Sequence, residues 1–185
     1  MDGFINRFVT AGEDGTAVAN SAAETSLLPA ARKIVLPNNF FKALGQELRV
    51  RAAGRISTLV TTPGTLTLAL KFGSTVIFSG GAMTLNTTAK TNVGWILDVT
   101  LSCRVIGAAA ALMGMGTWKS EAVSGSPAPT AGGPTEHLLP YNAAPANGNT
   151  FDSASAHVLD LVATWQTANA ANSIQLHQFS VESPI

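Results

Sequence analysis

The stretch ELRVRAAGRISTLVTTPGTLTLALKFG, from Glu47 to Gly73, decides the fold class. Leu48, Val50, Ala52 and Ile56 fall on one phase of a two-residue period, and Arg49, Arg51 and Arg55 fall on the other. Successive side chains of an extended chain point to opposite faces, so the segment reads as a strand with one buried face and one basic face. Thr62-Pro63-Gly64 then turns the chain, because proline presets φ and glycine tolerates positive φ. Beyond the turn Leu66, Leu68, Leu70 and Phe72 resume the alternation. Each contributes about 1.5–3 kcal/mol when fully buried, which makes this stripe a principal part of the core.

The same period recurs along the chain. Gly73-Ser74 turns into TVIFS, and in GWILDVTLSCRVIG the residues Trp95, Leu97, Val99, Leu101, Cys103 and Val105 oppose Asp98, Thr100, Ser102 and Arg104. AALMGMGTWKS reads as a further strand in which Gly114 and Gly116 permit close backbone approach or a bulge, with Met113 and Met115 as packing residues. In HVLDLVATWQ the residues Leu159, Leu161, Ala163 and Trp165 alternate, and in SIQLHQFSVES the phase slips between Leu176 and Phe179, placing a bulge near His177. Upstream, SLLPAARKIVLP reads as a broken first strand. NNFFKALG reads as a short helical turn capped by Asn38 or Asn39 and stopped by Gly45.

Two segments lack periodicity. Residues 1–24 have no regular apolar face and read as an extended N-terminal arm, ordered where it lies on something else. From Glu121 to Thr150 the density of Pro, Gly and Asn predicts a long loop, of the kind that is functional or lies against a partner. Residues 25–185 therefore carry roughly eight or nine strands and almost no helix, which predicts an all-β, antiparallel, jelly-roll-like β-sandwich.

Composition narrows the classes of function. At 185 residues the chain suits one domain with a real core. Its charged fraction is 12%, about half the usual share, and eleven basic residues balance eleven acidic ones. A neutral chain lacks the surplus Lys and Arg with which a nucleic-acid coat displaces counterions, so no nucleic-acid partner is expected. A charge-poor exterior gives little colloidal repulsion and suits a surface covered by other chains. Cys103 is the only cysteine and excludes both an intrachain disulfide and a Cys-based zinc site; its phase makes it a core thiol. MDGFINRFVT lacks the pattern of a secretory signal, and the uncharged stretch from Val105 to Trp118 is shorter than the about 20 residues that span a bilayer, so no membrane partner is expected.

No catalytic constellation emerges. His137, His157 and His177 fall in separate segments without carboxylates at ligand spacing, so neither metal nor cofactor is expected. A hydrolase triad would pair one of these histidines with Asp152 or Asp160, but no Gly-x-Ser-x-Gly elbow accompanies them, and the chain is not expected to be an enzyme. The candidate contact residues are Arg49, Arg51 and Arg55, joined by Lys71 on the next strand. Two readings of them stand: a solvated sheet face with single salt bridges, or arginines that meet carboxylates of a neighbouring subunit through bidentate pairs.

IVLPNNFF, LGQELRVRAAGRIST, TPGTLTLALKFG and VIFSGG lie between Ser26 and Arg104. Together they resemble the head-associated jelly-roll proteins of tailed bacteriophages, in which an arm and an LP-x-x-FF entry lead into such a strand and a TPGTLTL hairpin. The resemblance implies a structural virion protein made in the host cytoplasm: a homotrimeric decoration or cement protein on the capsid exterior, whose partners are the major capsid protein and copies of itself. A second reading of the same sandwich is a tail or fibre knob that binds a host receptor or glycan, with Trp118, Tyr141 and Trp165 as the candidate sugar contacts.

Overall fold

A computed structural model describes residues 5–10, 12–123 and 135–184. The strands are β1 (Ile5–Thr10), β2 (Val18–Ala19), β3 (Thr25–Ser26), β4 (Ile34–Leu36), β5 (Glu47–Thr58), β6 (Thr65–Phe72), β7 (Thr75–Thr84), β8 (Lys90–Val105), β9 (Ala111–Ser120), β10 (Glu136–Leu139), β11 (His157–Trp165) and β12 (Ser173–Pro184). Among the described residues there is no α-helix, and one 3-10 turn spans Ala30–Arg32. The larger sheet runs β1-β12-β5-β8-β9-β10, with β2 sharing the outer side of β12 with β1. The smaller runs β3-β11-β6-β7, with β4 also on β11. Every pairing is antiparallel, and the two sheets pack face to face as a β-sandwich.

The two-residue period carries directly into the core. Leu48, Val50, Ala52 and Ile56 of β5 are buried and Arg49, Arg51 and Arg55 are exposed. Leu66, Leu68, Leu70 and Phe72 of β6 face them from the smaller sheet, and Trp95, Leu97, Val99, Leu101 and Cys103 of β8 extend the inner layer. Burial pushes the Cys103 thiol up, which keeps it protonated and inert. The slip in β12 falls between Leu176 and Gln178, so His177 is the extra residue of a β-bulge. β3 and β4 are two pieces of one edge strand, separated by the 3-10 turn, and match the broken first strand expected there.

Several local expectations are corrected. The Pro63-Gly64 turn does not make a hairpin: β5 pairs with β8 and β12 while β6 pairs with β7 and β11, so the turn carries the chain from one sheet to the other. NNFFKALG forms separate turns in place of a helical turn, with Asn39 at φ 54° and Gly45 at φ 80°. That path lets Phe41 bury against Phe72 and Phe151, a tertiary demand that outweighs local helix propensity. Val105 is exposed because the register against β9 slips after Cys103. In β9 the glycine phase faces inward and Met115 faces out. A Cβ on Gly114 would stand 2.3 Å from the Phe78 ring of the facing sheet, and one on Gly116 would stand 2.3 Å from the Asp98 carbonyl oxygen.

The two segments without periodicity also find places. β1 and β2 lie along β12, so the described part of the arm rests on its own domain; residues 1–4 and 11 lie outside the described residues. Within the expected loop 121–150, residues 124–134 lie outside the described residues, and residues 136–139 form β10 against β9. The rest is a strap that laces the sheets together. Tyr141 and Asn149 donate backbone N–H groups to Gly80 and Val76 of β7, while Gly148 and Phe151 donate to Leu112 and to Ala110 beside β9. Backbone pairing explains how so Pro/Gly-rich a segment is held without a period of its own.

The opening stretch owes its register to one glycine. Gly54 sits opposite Trp95 on β8, and a Cβ there would stand 1.9 Å from the Gln175 carbonyl oxygen of β12 and 3.0 Å from the Trp95 ring. Gly54→Ala is expected to force β5 and β12 apart and cost about 1–3 kcal/mol, read as a lower urea midpoint at unchanged slope.

Candidate functional site

The outward face of the larger sheet is a ladder of cross-strand rows. One row runs Ser180, Arg51, Asp98, Thr117 and Leu138 across β12, β5, β8, β9 and β10. On one side of it lies the row Gln178, Ala53, Ile96, Lys119 and Glu136, and on the other the row Glu182, Arg49, Thr100 and Met115. Five adjacent strands present a face about 19 Å across.

Arg49 and Arg51 converge on one carboxylate. Arg49 donates from Nε to Asp98 Oδ1 at 2.9 Å and from Nη2 to Oδ2 at 2.6 Å, a two-pronged pair, and Arg51 Nε stands 3.3 Å from the same Oδ2. The Arg49 hydrogen bond, with the charges of Arg49, Arg51 and Lys119, holds the Asp98 carboxyl below the usual carboxylate range against the opposing effect of burial. Arg55 donates from Nε to Gln175 Oε1 at 2.9 Å, a neutral partner. Glu182, the cross-strand partner of Arg49 on β12, adds a second carboxylate beside the row, so the β5 arginines are met by acidic and amide partners within the domain. Beside this row, on β8, β9 and β10, stand exposed apolar side chains: Ile96 at 47%, Met115 at 50% and Leu138 at 72% exposure.

Lys71 does not belong to this face. It lies on β6 in the other sheet and pairs with Glu24, because the chain crosses between sheets at Pro63-Gly64. Sequence reasoning placed the three arginines together correctly and joined the lysine to them by assuming a hairpin. It also missed Leu138, whose outward position follows from its pairing with Thr117 on β9.

A groove of about 620 Å³ lies beside the arginines, lined by Glu13, Asp14, Arg51, Ile96, His177 and Gln178 among others. Its far wall is the chain after β1. Asp14 Oδ1 stands 2.8 Å from His177 Nδ1, Glu13 accepts from Arg32 Nε at 3.1 Å, and Gly15 exchanges hydrogen bonds with Leu176 and the Gln175 side chain. The bulge turns His177 toward this segment, so the imidazole ties arm to sheet. No serine or threonine hydroxyl among the described residues hydrogen-bonds to it.

The other titratable candidates are separate. His157 Nε2 stands 2.7 Å from the backbone oxygen of Asp152, while Asp160 accepts from Lys33 Nζ and Ser26 Oγ, both at 2.6 Å. His137 lies against Tyr141 at the strap. No group of three or more His, Cys, Asp or Glu side chains able to hold a metal occurs among the described residues. Comparison of the chain with protein-family models, with curated proteins and with solved structures finds no match.

Because the folded Asp98 carboxyl titrates below its unfolded value of about 3.9, its contribution is present above that pH and is lost as pH falls through the folded value. Asp98 is 23% exposed and its arginine partners about half exposed, so the stabilisation is modest. Asp98→Asn is expected to cost about 0.5–1 kcal/mol at pH 7, with the gap to the parent closing below about pH 4. Urea unfolding at pH 7 and pH 3 measures both.

Proposed function

We propose that the protein is a structural virion component that binds the outside of a bacteriophage capsid as a homotrimer and stabilises contacts between capsid subunits. The observation that carries this reading is the outward face of the larger sheet, where the β5 row of Arg49, Arg51 and Arg55 lies beside an apolar patch of exposed Ile96, Met115 and Leu138 on β8, β9 and β10. Arginine and methionine are enriched in protein interfaces, and an exposed apolar patch next to charge-paired arginines suits a contact surface. A second exposed apolar group, Leu44, Val105 and Ile106, stands at one end of the sandwich, where Gly45 N–H donates to the Cys103 carbonyl. A decoration protein needs this: a rigid body that adheres at more than one surface. Binding the assembled shell but not its free subunits stabilises the shell by mass action.

The strand order supports the phage reading further. Without β1, β9 and β10, the sheets run β2-β12-β5-β8 and β3/β4-β11-β6-β7, with the chain crossing between sheets after β2, β4, β5, β7, β8 and β11. We read this path as a jelly roll, extended on the β8 side by two extra strands. The contact set on this reading is Arg49, Arg51 and Arg55, without Lys71.

The alternative of a receptor-binding knob loses its candidate contacts. Trp118 and Trp165 are buried in the core, and the Tyr141 hydroxyl is buried, so none of the three offers an exposed ring to stack on a sugar.

Light scattering is expected to give the mass of a trimer, and the protein is expected to sediment with purified capsid shells while leaving a glycan array blank. The double variant Arg51→Glu/Leu138→Ser is expected to keep its circular dichroism and bind shells about tenfold or more weakly. A monomer that ignores shells would overturn the reading, and a positive array would favour the knob.

A further inference from the structure

β9 and β10 extend the larger sheet past β8 and lie against the β7 edge of the smaller one, Gly114 meeting the Phe78 ring and Leu139 lying next to Gly80, and the strap after β10 closes the rest of this side. Three buried polar atoms gather here without a hydrogen-bond partner among the described residues: Trp118 Nε1, His137 Nε2 and the Tyr141 hydroxyl. Trp118 on β9 and His137 on β10 are cross-strand partners, both turned inward, with the first fully buried and the second 9% exposed. Tyr141, on the strap, meets the His137 ring edge to face with centroids 5.3 Å apart. The backbone on either side of the cluster is already paired, through Tyr141 N–H to Gly80 and Ser120 N–H to Thr135.

We propose that these atoms enclose an internal water site, and that the bound water latches the strap to the β9–β10 edge of the larger sheet. Buried polar groups are almost always satisfied, and a buried water characteristically serves about three otherwise unsatisfied groups. The donor and acceptor characters match. An indole N–H donates only, a phenol does both, and the imidazole nitrogen takes either role by tautomer. Water accepts from Trp118 on β9 and completes its bonds with His137 on β10 and Tyr141 on the strap that follows it. A metal does not suit a set with a single imidazole and no carboxylate or thiolate. The Trp95 ring stacked on Trp118 at 5.1 Å and the buried Leu139 side chain leave apolar walls around the polar atoms, the setting in which an ordered water is retained.

The test turns on sign. If the hydroxyl bonds a bound water, Tyr141→Phe removes a satisfied interaction, and the thermal midpoint falls by about 2–4 °C. If the hydroxyl is truly unpaired, the same change removes a buried orphan and the midpoint holds or rises. A crystal structure is expected to show one peak within about 2.7–3.2 Å of all three atoms. The Trp118 indole proton is expected to show a cross-peak to long-lived water by NMR. A raised or unchanged midpoint, an empty site, or density from a larger molecule or a neighbouring chain would overturn the proposal.

Discussion

The sandwich depends on how closely β5, β8 and β12 approach at Gly54. A backbone without a Cβ lets the Gln175 carbonyl come within a distance that any side chain would occupy, and the Trp95 ring takes the space above it. Trp95 donates its indole N–H to the Arg55 carbonyl at 3.1 Å and stacks on Trp118. One aromatic side chain thus spans the join between the central strands and the β9–β10 extension. The buried stripes of β5, β6 and β8 form a continuous part of the core, and their register is held at this crossing.

A second constraint follows from unequal sheets. The larger sheet carries two further strands past β8, which meet the smaller sheet only at its β7 edge, and an inner face left open to water there would forfeit the burial that forms it. The Pro/Gly-rich strap solves this with backbone hydrogen bonds to both sheets and little apolar volume of its own. Gly148 shows the tightness of the fit, since a Cβ there would stand 2.0 Å from the Ile77 carbonyl oxygen. On the opposite edge the arm does comparable work by pairing with β12, which leaves the outward sheet face as the broad surface available for contact.

That surface shows how far physical reading of the chain reaches. The alternation in β5 made the arginine row legible at once, because three arginines two or four residues apart on a strand must share a face. The bulge at His177 was equally legible as a break in phase. Their partners were not. Asp98, forty-nine residues from Arg49, reaches it only because β8 pairs with β5 in that register. Asp14 meets His177 because the arm folds along β12. Lys71 was misplaced by treating a sheet-crossing turn as a hairpin, two outcomes that Thr-Pro-Gly supports equally well.

By itself the sequence determined which residues lie inside: period-two alternation is a property of neighbouring residues, and burying one phase of it admits a two-layer β fold and little else. Tertiary structure decided which strands are neighbours, why glycine and not methionine faces the core in β9, and that a segment without periodicity would close the open side. Those outcomes rest on volumes and hydrogen-bond partners brought from distant parts of the chain. Phe78 needs the space at Gly114, and the strap needs the free backbone of β7.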